Sequence, residues 1–302
     1  MWRSKIVEMN TRIISHEFEY FAPNSIQETL ILLDQHGSEA KIIAGGTDLV
    51  SQMKMGKHTP AYIIDIKRIK ELQYIAGDMV LKIGAGNNLR GVMNFFLPAS
   101  VPYAGLYESI RSIGKTQVLN MATIGGNLCN GSPKADTAPP LLTYDARIKL
   151  VSLKGERILA LKDFHSGPNR TIMEANELMT EIQLDKLPKG TSSAFEKKAR
   201  VGADISKITC AVTVVRDGDV CRSCRIALGA AAPVPMRAFQ AESMLTGKIM
   251  NDALTEETSQ QVAQEINPPT VGRTHPEYRR HLAAVMFKDG FRRAWQQAGG
   301  GK

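Results

Sequence analysis

The sequence predicts an α+β protein of two domains, and three observations carry that reading. The 302 residues are 43% hydrophobic and 23% charged, close to the average globular composition, and the length suffices for about two independently packed cores. Up to about residue 190, short apolar runs alternate with helix-periodic segments and glycine turns. After Leu187-Pro188-Lys189-Gly190, a stretch of linker composition, three strand-like runs come first and helices follow, the order of an α+β domain. Nowhere do 18 apolar residues run together, and Met1-Trp2-Arg3-Ser4-Lys5 opens no signal-type stretch, so a cytoplasmic protein away from membranes is expected.

Residues 1–16 lack a period and read as an arm. Ser25-Ile26-Gln27-Glu28 fits a capping box, Ile26, Leu30 and Leu33 share one helical face, and Gly37 supplies a stop, which predicts a helix over 25–36. Ala40 to Ala44 and Ala61 to Ile66 read as buried strands, and Leu72 to Ala76 with Val80 to Ile83 as a hairpin around Gly77-Asp78. Tyr103, Leu106, Ile110 and Ile113 predict a helix over 102–113. Gly114 to Pro140 has little periodicity, and an irregular stretch of that length usually carries function. A second hairpin follows at 146–152 and 157–161, then a strand at 177–184. Beyond the linker the strands are about 193–199, 207–215 and 220–228, and the helices 236–246, 252–266 and 276–296.

The formal charge is +8, which raises nucleic acid as a partner. Much of the excess lies near the C-terminus, in Arg273, Arg279, Arg280, Lys288, Arg292, Arg293 and Lys302. Tyr278, Phe291 and Trp295 stand among them at core-like spacing, so a solvated helix face explains the charge better than a stacking surface does. Cys221 and Cys224 form a C-x-x-C after the Asp217-Gly218 turn. On a regular strand, residues three apart face opposite ways, so one buried and one exposed cysteine are expected, with neither a metal nor a disulfide.

Two glycine pairs carry the chemistry, in Ala44-Gly45-Gly46-Thr47-Asp48-Leu49 and Thr123-Ile124-Gly125-Gly126-Asn127-Leu128. Such turns let a ligand approach the backbone and can gather N–H groups into an anion nest; together they suggest a diphosphate held between two loops. The common nucleotide and hydrolase fingerprints are absent. Gly84-Ala85-Gly86 has Leu89 where a third glycine belongs, with no clear helix begun at Asn87-Asn88, and no P-loop, G-x-S-x-G or H-E-x-x-H occurs.

The first glycine segment, followed by Ala122-Thr123-Ile124-Gly125-Gly126-Asn127-Leu128-Cys129-Asn130-Gly131-Ser132-Pro133-Lys134-Ala135-Asp136-Thr137-Ala138-Pro139-Pro140-Leu141, resembles the FAD-binding subunit of the molybdenum hydroxylase family, which includes xanthine, nicotinate and carbon monoxide dehydrogenases. The resemblance extends through Lys198-Ala199-Arg200, Asp204-Ile205-Ser206-Lys207-Ile208, Gly229 to Pro233 and Tyr278-Arg279. It implies a two-lobed FAD-binding domain of the vanillyl-alcohol-oxidase (PCMH) type over 17–190, with lobes of about 17–70 and 71–190. A C-terminal domain of a three-stranded antiparallel sheet with helices would span 191–302.

By that resemblance Ile43, Ala44, Gly45, Gly46, Thr47, Asp48 and Leu49 would join Ala122, Thr123, Gly125, Gly126 and Asn127 around the pyrophosphate and ribityl chain. Asp136 would accept from sugar or ribityl hydroxyls, Ile113 would lie against the isoalloxazine, and Lys198, Asp204 and Ile205 would approach from the second domain. Relatives commonly show Gln-Ile-Arg-Asn before the second loop; here the run is Gln117-Val118-Leu119-Asn120, which removes a charge. The implied function is electron transfer through a noncovalent FAD. Molybdopterin would reside in a large partner subunit and 2Fe-2S clusters in a small one, with no metal and no catalytic acid or base on this chain. The parent enzyme would be xanthine dehydrogenase-like, with NAD one candidate acceptor. A self-contained flavin-dependent oxidoreductase and a basic nucleic-acid-binding protein are the competing readings.

Overall fold

The structure is a computed structural model that describes residues 13–96, 101–202, 204–269 and 275–299; most of the expected N-terminal arm lies outside these. The first lobe comprises β1 (Glu19–Phe21), α1 (Ile26–His36), β2 (Ala40–Ile43), α2 (Leu49–Lys54) and β3 (Tyr62–Asp65). Its strands form a parallel sheet in the order β1-β3-β2. Ser25 caps α1, its hydroxyl accepting from the Glu28 amide at 3.1 Å. The Glu28 carboxylate turns back one residue further than a capping box requires, to the Asn24 amide. Leu30, Leu33, Ile64 and Ile69 are buried together between helix and sheet.

The second lobe contains β4 (Ile75–Ala76), β5 (Val80–Gly84), α3 (Leu89–Phe95), α4 (Ala104–Arg111), α5 (Thr116–Met121), α6 (Ile124–Cys129) and α7 (Ala138–Thr143). It continues with β6 (Arg147–Ser152), β7 (Gly155–Ala160), β8 (His165–Gly167), β9 (Arg170–Thr171) and β10 (Leu178–Asp185). The main sheet runs β4-β5-β10-β6-β7. Two expectations change here. Asn88 does begin a helix, α3, its side chain accepting from the Gly91 amide at 2.7 Å, as a good N-cap does. The aperiodic stretch 114–140 holds α5, α6 and the start of α7. These helices are only six residues long, too short to print a 3.6-residue period, and tertiary packing rather than propensity holds them. Leu119 is buried in the lobe's core.

The C-terminal domain has β11 (Thr191–Lys198), β12 (Ile208–Asp217), β13 (Val220–Gly229), β14 (Met236–Arg237), α8 (Phe239–Leu245), β15 (Lys248–Ile249), α9 (Asp252–Glu265) and α10 (Pro276–Ala298). The three long strands pair antiparallel as expected, and β14 and β15 both add to β13. Residues 236 and 237 therefore extend the sheet instead of opening the next helix. In the basic helix α10, Phe287 and Phe291 are buried. Lys288 pairs with Glu256, and Arg293 with Glu108 and Glu196, so these charges are engaged within the fold.

The expectation of one buried and one exposed cysteine in the C-x-x-C fails. Cys221 and Cys224 are both buried and their thiols hydrogen-bond to each other. The ladder pairs Val215 with Ser223 but Arg216 with Cys221, so Arg222 is the extra residue of a β-bulge. A bulge resets the alternation of faces, which turns both sulfurs into the core between sheet and helices.

Polar groups join the domains as well as apolar ones. The Tyr144 hydroxyl and Ser193 Oγ are 2.8 Å apart, Thr213 Oγ1 donates to Thr143 Oγ1 at 2.7 Å, and Asp145 pairs with Arg225 and Arg237. No helix among the described residues is long and apolar enough to cross a membrane.

Candidate functional site

The two glycine loops meet. A Cβ built on Gly45 would stand 2.0 Å from the Met121 carbonyl oxygen, and one on Gly125 would stand 2.6 Å from the Ala85 Cβ. Glycine at both places lets the end of β2, the end of α5 and the turn after β5 close on one another. Gln52, one turn into α2, reaches Asn130 beyond α6 at 3.5 Å. The result is a cleft of about 480 Å³ between the lobes, of the size that small-molecule sites occupy.

Ile43, Ala44, Gly45, Gly46, Thr47, Asp48 and Leu49 line the cleft from one side, and Ala122, Thr123, Gly125, Gly126 and Asn127 from the other. Their amides differ in availability. Among the described residues, those of Gly45, Gly46, Thr47 and Asp48 donate to no backbone carbonyl. Four free donors in succession around Gly46, whose φ is +69°, form a nest suited to an anion. The amides of Ile124, Gly125, Gly126 and Asn127 are instead taken by Asn87 O, Ala85 O, Thr123 Oγ1 and Thr123 O. The first loop therefore offers free donors suited to an anion, and the second forms a wall.

Sequence reasoning missed a third wall. Thr171, Met173, Glu174 and Met179 line the cleft from β9, the segment after it and β10. Asn169, at φ +56°, joins them through a β8–β9 turn pinned by its own amide to the Gly131 carbonyl at 2.9 Å. No motif marks these residues, since pairing of distant strands brings them there. Cys129 also faces the cleft, with Sγ 3.9 Å from Met179 Sδ. Burial pushes its thiol up to about 12, so it stays protonated and weakly nucleophilic at neutral pH. Asp48 is reachable from the cleft, yet the surrounding walls dehydrate its carboxyl and raise it above the ordinary value.

Asp136, Ile113, Lys198, Asp204 and Ile205 do not line this cleft. Asp136 is connected to it through the next residue, Thr137, whose hydroxyl donates to Asn127 Oδ1 at 2.6 Å. Its carboxylate pairs with Lys197 at 2.7 Å, both side chains being 9% exposed. Burial raises Asp136 and Lys197 counters the shift. Lys198, the expected contact, is exposed on the other face of β11. The Lys197 ammonium also donates to the Ser112 carbonyl at 3.0 Å, one residue before Ile113, which packs half-buried on the core. Asp204 pairs with Arg200 at the surface and Ile205 is 69% exposed. The Ser206 hydroxyl lies beside Asp136 and helps hold its carboxylate, although among the described residues neither Ser206 Oγ nor the buried Asp136 Oδ1 has a partner at close hydrogen-bonding geometry.

These features fit FAD. The free amides at 45–48 suit a diphosphate, and an orphaned buried carboxylate oxygen suits a hydroxyl or N–H donor. Among the described residues no three His, Cys, Asp or Glu side chains gather to hold a metal.

Comparison with known proteins agrees. Residues 16–187 match the family described as the FAD binding domain in molybdopterin dehydrogenase, and residues 193–294 match the CO dehydrogenase flavoprotein C-terminal domain. The chain is 34% identical over 271 residues to the putative xanthine dehydrogenase FAD-binding subunit of Escherichia coli K12, covering 87% of this chain and 91% of that protein. It is 35% identical over 280 residues to the nicotinate dehydrogenase FAD-subunit of Eubacterium barkeri, covering 90% and 91%. The structure of carbon monoxide dehydrogenase from Hydrogenophaga pseudoflava matches with a TM-score of 0.88 at 32% identity, covering 94% of this chain and 99% of that one.

Proposed function

Because this chain belongs to the FAD-binding medium subunits of the molybdenum hydroxylase family, we propose that it is the electron-transfer subunit of a xanthine dehydrogenase-like complex. The partners would be a molybdopterin-binding large subunit and a 2Fe-2S small subunit, and NAD the final acceptor. The observation that carries the reading is the interlobe cleft with four free amides at its mouth. In this reading residues 43–49 hold the diphosphate, 122–127 wall the ribityl side, and the Asp136 end receives the flavin ring, with Ile113, Lys198, Asp204 and Ile205 around it. FAD, when bound, supplies the capacity to take up electrons and pass them on. The chain's own residues bind, orient and shield it. A domain division near residue 190 would leave the cofactor between the lobes of 17–190, with 191–302 closing over the ring end.

The test is anaerobic mixing of the purified, FAD-loaded chain with xanthine and related purines. The expected result is no bleaching of the flavin by the chain alone and rapid bleaching once both partner subunits are added. Bleaching in the isolated chain would overturn this reading in favour of a self-contained flavoenzyme. Full release of the yellow colour on acid precipitation checks that the flavin is not covalently linked.

A further inference from the structure

We propose that Lys197 is a positioning residue of the flavin site: from the C-terminal domain its ammonium holds the Asp136 carboxylate so that Oδ1 is presented as an acceptor to a hydroxyl or N–H of the bound cofactor. The inference rests on the FAD reading above and deepens it.

Two groups meet the carboxylate from separate elements, and a third is tied to one of them. Lys197 comes from β11, Ser206 from the segment before β12, and the Ser112 carbonyl, through the same ammonium, from the end of α4. Among the described residues, Lys197 is the charged side chain that acts on Asp136. The pairing is lopsided. Asp136 Oδ2 takes the ammonium at 2.7 Å, while buried Oδ1 has only the Ser206 hydroxyl for a neighbouring donor and, among the described residues, no partner at close hydrogen-bonding geometry. A buried acceptor left empty is costly, and a carboxylate oxygen held by a counter-ion on one side only is oriented as well as ionised. The next residue, Thr137, bonds Asn127 of the cleft wall, so a donor on the cleft's ligand can compete with the Ser206 hydroxyl for this oxygen.

Lys197 also fixes what lies next to Asp136. Its bond to Ser112 O ties the backbone immediately before Ile113 to the second domain. A neutral side chain at 197 would leave Asp136 buried without its counter-ion, and the carboxyl would then hold its proton to higher pH. A protonated Asp136 is a poorer acceptor, so cofactor affinity would fall more steeply toward low pH than in the wild type.

The experiment titrates FAD into the flavin-free full chain between pH 6 and 9, following flavin fluorescence, with every variant expressed relative to wild type at the same pH. Lys197→Met is expected to bind about tenfold more weakly at pH 6, the worth of one charge-assisted hydrogen bond, and to recover toward wild type at pH 9. Lys197→Arg keeps the charge and is expected to stay within about threefold throughout. Equal affinity of Lys197→Met and wild type at all pH values overturns the inference, as does an equal, pH-independent loss in both variants. Should Lys197→Met fail to fold, the neutral pair Asp136→Asn/Lys197→Met replaces it, with a pH-independent loss of about tenfold expected and wild-type affinity overturning the inference. Failure of the wild type itself to bind FAD would overturn the functional reading instead.

Discussion

Gly45 lies against the Met121 carbonyl so closely that a Cβ would stand 2.0 Å from the oxygen and 2.7 Å from the Ala122 Cα. Both obstacles are backbone, so neither can swing aside. Gly45→Ala is therefore expected to pry the glycine loops apart, destabilise the protein by about 3 kcal/mol, and lower FAD affinity with it. Gly56, with open space around it, is the control for conformational strain alone, since its φ is +67°. Gly56→Ala is expected to cost about 1 kcal/mol and to leave affinity intact. Chemical denaturation with parallel flavin titration separates the two, and equal affinity losses would remove the close-approach argument.

Asp48 carries a carboxyl raised by dehydration at the mouth of a nest built for an anion. A raised folded-state value means that the folded form holds its proton more tightly than the unfolded chain. The resulting penalty on stability is absent below the ordinary carboxylate range and complete once pH exceeds the folded value. Asp48→Asn should thus raise the melting temperature of the flavin-free protein at pH 7 and tighten FAD binding. The stability gain should shrink as pH falls through that window. A gain that persists undiminished at pH 3.5 would contradict the assignment.

Cys129 lines the cleft with its thiol pushed up to about 12, which leaves about one molecule in ten thousand as thiolate at pH 8. Iodoacetamide should label it very slowly at that pH and much faster near pH 10.5, and bound FAD should block the labelling. Cys210, Cys221 and Cys224 are buried, so mass spectrometry of the native protein should place early label on Cys129. Rapid labelling at pH 7 would refute the buried-thiol description.

Glu108 joins the two domains through one carboxylate. It accepts from the Phe195 amide at 2.8 Å and from both terminal nitrogens of Arg293, at 3.0 and 2.8 Å. Glu108→Ala leaves that amide unpaired and Arg293 with only Glu196 and the Phe195 carbonyl, and should cost roughly 2 kcal/mol. Glu108→Gln should recover part of this. Urea denaturation of the flavin-free protein measures both, and a cost below about 0.5 kcal/mol would show that the interdomain bond is dispensable.

Much of the molecule is written in local pattern. The Ser25 cap with its apolar helical stripe, the long antiparallel strands either side of Asp217-Gly218, and the paired glycines at 45–46 and 125–126 each follow from neighbours within a dozen residues. The two glycine pairs were legible as turns where the chain must approach closely, and Gly45 and Gly125 do stand against Met121 and Ala85 of other segments.

Other features depend on contacts that no short window contains. Lys197 rather than Lys198 meets Asp136 because β11 pairs Lys197 with Thr209 and Lys198 with Ile208, and side chains one residue apart point to opposite faces. Sequence alone leaves that choice of face open. The C-x-x-C sulfurs meet because Arg222 is a bulge defined only against Val215 and Arg216 on the neighbouring strand. The sequence determined which segments could form strands, helices and anion-binding turns, since those depend on local backbone freedom and apolar spacing. The tertiary structure decided register, and with it which charge is buried, which thiols touch and which amides stay free. Register is fixed only when distant strands pair and one face of each must leave water.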